Sequence, residues 1–193
     1  MEKRLFLKIG GGSLKGRRFA APKGGKTVRP ISERVKEALF DILAPKFQQQ
    51  DLKVLDLFSG TGAIAFESIS RGAFQVLCIE HDRRNIGLIQ NNAISLGVTS
   101  QLKVMHGRLP ETIKRIRGPF SVIFMDPPFA LDIATELFPL IAKKKLLHDG
   151  GVIVLQRDRR SKQLESSDFE IKRSHRVGDS VLFFYGHHSP SAI

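Results

Sequence analysis

Beyond residue 53 the chain alternates short, uninterrupted apolar runs with stretches of helical periodicity. The runs cover 53–58, 75–80, 101–106, 120–126 and 151–156; between them lie 63–71, 83–96, 109–115 and 132–144, which read as helices. Runs buried on both faces and joined by helices predict a parallel sheet in a three-layer α/β domain. Gly72 and Gly97 stand directly after two of the predicted helices, where a left-handed residue ends a helix.

The two ends break this rhythm. Segments 169–177 and 180–185 flank Gly178-Asp179, a tight-turn signal, so an antiparallel hairpin should close the sheet. That gives a mostly parallel, seven-stranded sheet with helices on both faces. Segments 5–9 and 17–21 flank a turn rich in glycine (Gly10-Gly11-Gly12) and predict a small hairpin outside the main sheet. A helix over 33–43 follows, with Ser32 as N-cap and Val35, Ala38, Leu39, Ile42 and Leu43 in one apolar stripe. The division expected is a basic hairpin extension, 1–31, and one α/β domain, 32–193.

Composition adds limits. A chain of 193 residues, 41% apolar, suits one domain with a small appendage. Its longest apolar runs are too short to cross a bilayer, and Met1-Glu2-Lys3-Arg4 does not open a signal peptide. Cys78 is the only cysteine, so no intramolecular disulfide can form. A cytoplasmic protein is expected. Cys78 lies in an apolar run and reads as core, and the histidines lack ligand spacing, so no metal is expected.

Charge changes the picture more. The formal net charge is +12. Residues 1–29 hold nine Lys/Arg against one acid, Glu2, and residues 157–176 hold seven against four. Basic flanks around a balanced middle suit a phosphate backbone.

The first run of the sheet ends in Asp56-Leu57-Phe58-Ser59-Gly60-Thr61-Gly62, directly before a helix. Glycines let this turn approach a ligand closely. No Lys-Ser/Thr follows Gly62, which excludes a P-loop, and the spacing is not that of a nicotinamide site. Asp56 suits a ligand amino group better than a pyrophosphate, which it would repel. Glu80, ending the second run, stands where an acid grips a ribose diol. After the fourth run comes Asp126-Pro127-Pro128-Phe129. Two prolines stiffen this loop and leave carbonyls free. An acid, a carbonyl and an aromatic face can together stack a planar base and accept both hydrogens of its amino group.

These residues resemble the amino-methyltransferase branch of class I methyltransferases, which use S-adenosylmethionine on a Rossmann-like fold. More closely, the chain resembles the bacterial RsmD family, which methylates guanine N2 in 16S ribosomal RNA. The similarity runs from Ile9-Gly10-Gly11 and Lys15-Gly16-Arg17 through Arg29-Pro30 and Arg34 to Phe40. It continues at Leu55 to Gly62, Ser70 to Ala73 and Asp126 to Phe129. The resemblance implies a cofactor set of Arg29, Ser32, Asp56, Phe58, Gly60, Gly62, Glu80 and Arg108. Segment 29–34 would lie over the methionine end, whose carboxylate the helix N-terminus at Ser32 would bind. Gly107-Arg108-Leu109 stands where relatives often carry an acid or amide for adenine, and Gln156 stands where many carry Glu; Gln156 is assigned no role. Asp126, Pro127, Pro128 and Phe129 would form the catalytic loop. Lys15, Arg17, Arg18, Arg29 and Arg34 would contact RNA, in 16S rRNA or the assembling small subunit, with the enzyme a monomer. Two rivals remain: another amino substrate, such as adenine N6 or a protein amide, and a non-catalytic RNA-binding module.

Overall fold

The computed structural model describes residues 5–22, 31–128 and 133–188. Its first element pair is a two-stranded antiparallel sheet, β1 (Leu5–Lys8) with β2 (Arg18–Ala21), separate from the main sheet as expected. Helix α1 (Glu33–Leu43) begins at the predicted cap, where the Ser32 hydroxyl accepts a hydrogen bond from the Val35 N–H at 3.2 Å. That satisfies one of the donors a helix start leaves open.

The main sheet is built from β3 (Lys53–Asp56), β4 (Gln75–Glu80), β5 (Leu102–His106), β6 (Phe120–Met125), β7 (Leu147–Asp158), β8 (Glu170–Val177) and β9 (Ser180–Gly186). The order is β5-β4-β3-β6-β7-β9-β8. The pairs among β3 to β7 are all parallel, and β9 lies antiparallel between β7 and β8. Helices α2 (Ala63–Ser70) and α3 (Arg83–Leu96) are the crossovers from β3 to β4 and from β4 to β5, and α4 (Ala134–Lys143) leads into β7. This is the Rossmann-like class I methyltransferase fold. Strand order reverses between β3 and β6, so a crevice opens there at the carboxyl edge.

Two details differ from the sequence-based expectation. Segment 109–115 forms a 3-10 turn over Glu111–Arg115 after Pro110, not an α-helix. The Ile113 N–H bonds the Pro110 carbonyl and the Ile116 N–H the Ile113 carbonyl, each at 3.1 Å and three residues back, the 3-10 pattern. Strand β7 starts at Leu147, four residues before its apolar run, because Leu147 pairs with Phe120 ahead of a register shift.

Alternation along the strands sorts the core into two layers. Val54, Val76, Val122, Phe124, Val154 and Leu182 pack under α1, α2 and α3. Leu55, Ile123, Met125, Leu155 and Phe183 pack against α4 on the opposite face.

The hairpin is docked on the first of these layers. Ile9 and Phe19 join its core, with Phe19 and Phe66 ring centroids 4.9 Å apart. The Asn92 side chain of α3 completes β2 like a neighbouring strand: its Oδ1 accepts from Ala20 N–H at 3.0 Å, and its Nδ2 donates to the Ala20 carbonyl at 2.8 Å. Gly12 (φ +76°) passes so close to α2 that a Cβ there would lie 1.8 Å from the Ser70 carbonyl oxygen. Beneath the loop, buried Glu67 accepts from the Gly10 N–H at 2.8 Å and faces Lys36 at 3.3 Å and Arg71 at 2.9 Å. Lys36 donates in turn to the Lys8 carbonyl at 2.7 Å.

Candidate active site

A cleft of about 520 Å3 opens where the strand order reverses. Its floor is the ends of β3, β6 and β7, and α1 and the start of α2 form its sides: Ile31, Leu39, Phe58, Gly60, Ala63 and Ile64 line it with Asp56, Asp126 and Gln156. Strand alternation explains the carboxylates. Asp56 continues the row of Val54, Asp126 that of Phe124 and Gln156 that of Val154, so all three point toward the α1 face.

The loop after β3 turns sharply at Gly60 (φ +50°) and Gly62 (φ +78°). A Cβ on Gly62 would come within 2.9 Å of the Phe66 ring, so glycine lets α2 start where it does. Glu80 holds this loop from the neighbouring strand. Its Oε2 accepts from the Gly60 N–H at 2.8 Å, and its Oε1 accepts from the His81 and Asp82 N–H groups at 2.9 and 2.8 Å. Oε1 is thereby filled, and Oε2 is the oxygen with capacity for one further donor. Glu80 is thus a loop anchor as well as a candidate ribose ligand.

Asp56 is buried, and its Oδ2 has no hydrogen-bond partner. Burial pushes its carboxyl up to about 7, opposed by the Ser59 hydroxyl and reinforced by the nearby Asp126 and Glu80 charges. Burial also pushes Asp126 up to about 7, although the residue keeps part of its surface open to the cleft. Two poorly solvated carboxyls in one cleft, one with an orphan oxygen, fit a ligand that brings positive charge and N–H donors. Pro127 is buried and Pro128 exposed.

The structure therefore brings Asp56, Phe58, Gly60 and Asp126 to one cleft, with Gly62 and Glu80 shaping its Gly loop. Ser32 adjoins Ile31 on the cleft wall; its hydroxyl is spent on the α1 cap. Arg108 is not among the lining residues. Its exposed side chain lies after β5, two strands from β3, and its carbonyl receives Thr112. Lys15, Arg17, Arg18 and Arg34 are exposed, and the Arg17 guanidinium also donates to the Ser95 carbonyl at 3.1 Å. Arg29 and Phe129 lie outside the described residues. Gln156 was passed over on sequence, yet it lines the cleft; its place two residues after Val154 was the available signal.

No helix of the described residues is long and apolar enough to cross a membrane, and none of their His, Cys, Asp and Glu form a group of three or more that could hold a metal ion.

Comparison with known proteins agrees with this architecture. YlbH of Bacillus subtilis (strain 168) is 31% identical over 180 residues, covering 91% of this chain and 90% of that protein. The Ribosomal RNA small subunit methyltransferase D of Escherichia coli (strain K12) is 30% identical over 150 residues, covering 78% of this chain and 74% of the relative. The solved structure of yhhF from Escherichia coli superposes with a TM-score of 0.83 at 26% identity, over 94% of this chain and 98% of that one. A family model described as Conserved hypothetical protein 95 matches residues 7–186. By fold, by cleft and by this match over most of its length, the chain belongs to the RsmD family.

Proposed function

We propose that this protein transfers a methyl group from S-adenosylmethionine to the exocyclic N2 amino group of a guanine in small-subunit ribosomal RNA. The observation that carries the reading is the meeting, in one cleft, of a glycine loop, an orphan buried carboxylate and Asp126 at the start of a Pro-Pro loop.

When bound, S-adenosylmethionine supplies an electrophilic methyl on a sulfonium. The chain's own groups do the rest. Asp56 Oδ2 would receive the ammonium of the methionine moiety, Gly60 would let the backbone come close, and Glu80 Oε2 would accept from the ribose. The N-terminus of α1 would bind the carboxylate, with Arg29 as a further candidate partner. Arg108, outside the cleft lining, would approach the adenine end only from the loop after β5. An exocyclic amine is a poor nucleophile because its lone pair is delocalised into the ring. Asp126 and the Pro127 carbonyl accept its two hydrogens, which localises the lone pair and stabilises the positive charge that develops on nitrogen. Phe129 stacks on the base, and Lys15, Arg17, Arg18 and Arg34 contact flanking phosphates.

The homologues named as small-subunit methyltransferases support ribosomal RNA as the substrate. Mass spectrometry of 16S rRNA from cells lacking the protein tests the reading. One N2-methylguanosine should disappear and return when the gene is restored. Loss of an N6-methyladenosine instead, or no change, would refute the guanine assignment.

A further inference from the structure

The outer face of the N-terminal hairpin carries a feature that neither the cleft nor the core explains. Register pairs Phe6 with Ala20 and Lys8 with Arg18, while Leu7 pairs with Phe19 and Leu5 with Ala21. Alternation therefore gives the hairpin two faces. Phe19 and Ala21 are buried and Leu7 packs on the core, so theirs is the inner face. Phe6, Lys8, Ala20 and Arg18 share the outer one, where Phe6 is 48% exposed and both cations are exposed.

This arrangement is unfavourable for folding alone. Like charges directly opposite on adjacent strands repel, and among the described residues neither Lys8 nor Arg18 has a carboxylate partner. Phe6 stands two residues from Lys8 on the same face, about 7 Å along the strand. Ala20, opposite Phe6, is too small to cover the ring. The platform is also held firmly from beneath by Asn92 on Ala20, Arg17 on Ser95 and Phe19 on Phe66. A lone exposed phenylalanine would be ordinary. A half-exposed aromatic ring beside two cations that have no carboxylate partner among the described residues, on a docked hairpin, matches an unpaired base with its flanking phosphates.

We infer that this face is a stacking platform for an unpaired nucleotide of the RNA, Phe6 taking the base and Lys8 and Arg18 the phosphates on either side. The inference rests on the ribosomal RNA reading above and adds base recognition to the phosphate contacts of the hairpin.

The chain contains no tryptophan, so Phe6→Trp introduces a single fluorescent reporter at the ring in question. Its emission should be quenched by an unmethylated 16S rRNA transcript and unchanged by heparin, a polyanion without bases. Phe6→Ala should weaken transcript binding about 5- to 100-fold, the cost of one lost base–aromatic stack. It should leave the slope of log K against log [salt] intact, because no charge is removed. Lys8→Ala should make that slope shallower. S-adenosylmethionine affinity should not change in any of these variants. Transcript binding by Phe6→Trp without quenching, equal quenching by heparin, or wild-type affinity in Phe6→Ala would overturn the platform and leave the methyltransferase reading standing. Failure of the wild-type protein to bind 16S rRNA would overturn both.

Discussion

Replacing Asp56 with asparagine should stabilise the cofactor-free protein at pH 8 and leave it near the wild type at pH 5. The Asp56 carboxyl is buried, its Oδ2 has no partner, and its pKa is raised from 3.8 to about 7. Between those two values the folded state holds a proton that the unfolded chain has released. Stability therefore falls as pH rises across that window and levels off above it. A rise of about three units, at about 1.36 kcal/mol each, amounts to about 4 kcal/mol lost by pH 8. That is an upper bound, because Asp126 titrates over the same range and the two carboxyls share one field. Asparagine never ionises, but its amide leaves a buried N–H unsatisfied at a cost of about 1–3 kcal/mol. By pH 5 the wild type has already lost about 1–2 kcal/mol of this, so the variant should gain about 1–3 kcal/mol at pH 8 and stay within about 1–2 kcal/mol of the wild type at pH 5. Urea unfolding of both proteins at the two pH values measures this, and groups common to both cancel in the difference. An equal stability change at pH 5 and pH 8 would refute the reasoning. In calorimetry the same variant should bind S-adenosylmethionine more weakly, since the charge that destabilises the empty cleft is the one that receives the ammonium.

Three further outcomes are expected. Asp126→Ala should slow single-turnover methyl transfer at least about 100-fold with little change in cofactor affinity, and the wild-type rate should rise with pH and level off above about 7 as Asp126 ionises; a near-normal rate would remove Asp126 from the chemistry. Glu80→Ala should cost about 1–3 kcal/mol of cofactor binding in calorimetry, and unchanged affinity would dismiss Glu80 as a ribose ligand. Alanine at both Arg17 and Arg18 should weaken rRNA binding and flatten the salt slope by about 0.7–0.9 per lost phosphate contact; a wild-type slope would move docking elsewhere, to the basic residues of 157–176.

Much of the fold could be read from local signals. Helices α1 and α3 and strand β4 fall at their expected bounds, because Ser32 and Gly97 mark helix ends and the β4 run is uninterrupted. What escaped depends on partners remote in sequence. The start of β7 is polar and pairs only because β6 lies beside it. Residues 109–115 carry helical periodicity, but their hydrogen bonds close three residues back, as a 3-10 turn. At the site, Asp56 and Asp126 were legible because each closes a strand with a stiff or glycine-rich loop after it. Gln156 needed the sheet order to reach the cleft, and the anchoring of the Gly loop by Glu80 needed the distance between two strands. The buried Glu67 of α2 was invisible in its own helix, since Lys36, Arg71 and Gly10 come from separate parts of the chain.

That buried carboxylate bears on how the hairpin can be studied. Glu67 and Lys36 are 1% and 2% exposed, and each is completed by a backbone group of the hairpin segment, the Gly10 N–H and the Lys8 carbonyl. Deleting that segment would strip both ions of a backbone ligand and uncover Phe66, and each buried hydrogen bond lost to a charged group costs about 1–3 kcal/mol. A truncated protein that failed to act on RNA would then be reporting a damaged roof over the cleft, because Lys36 sits on α1, the same helix that carries Leu39 into it. The hairpin works as a keystone, and its surface chemistry has to be dissected by exchanging side chains while the backbone stays in place.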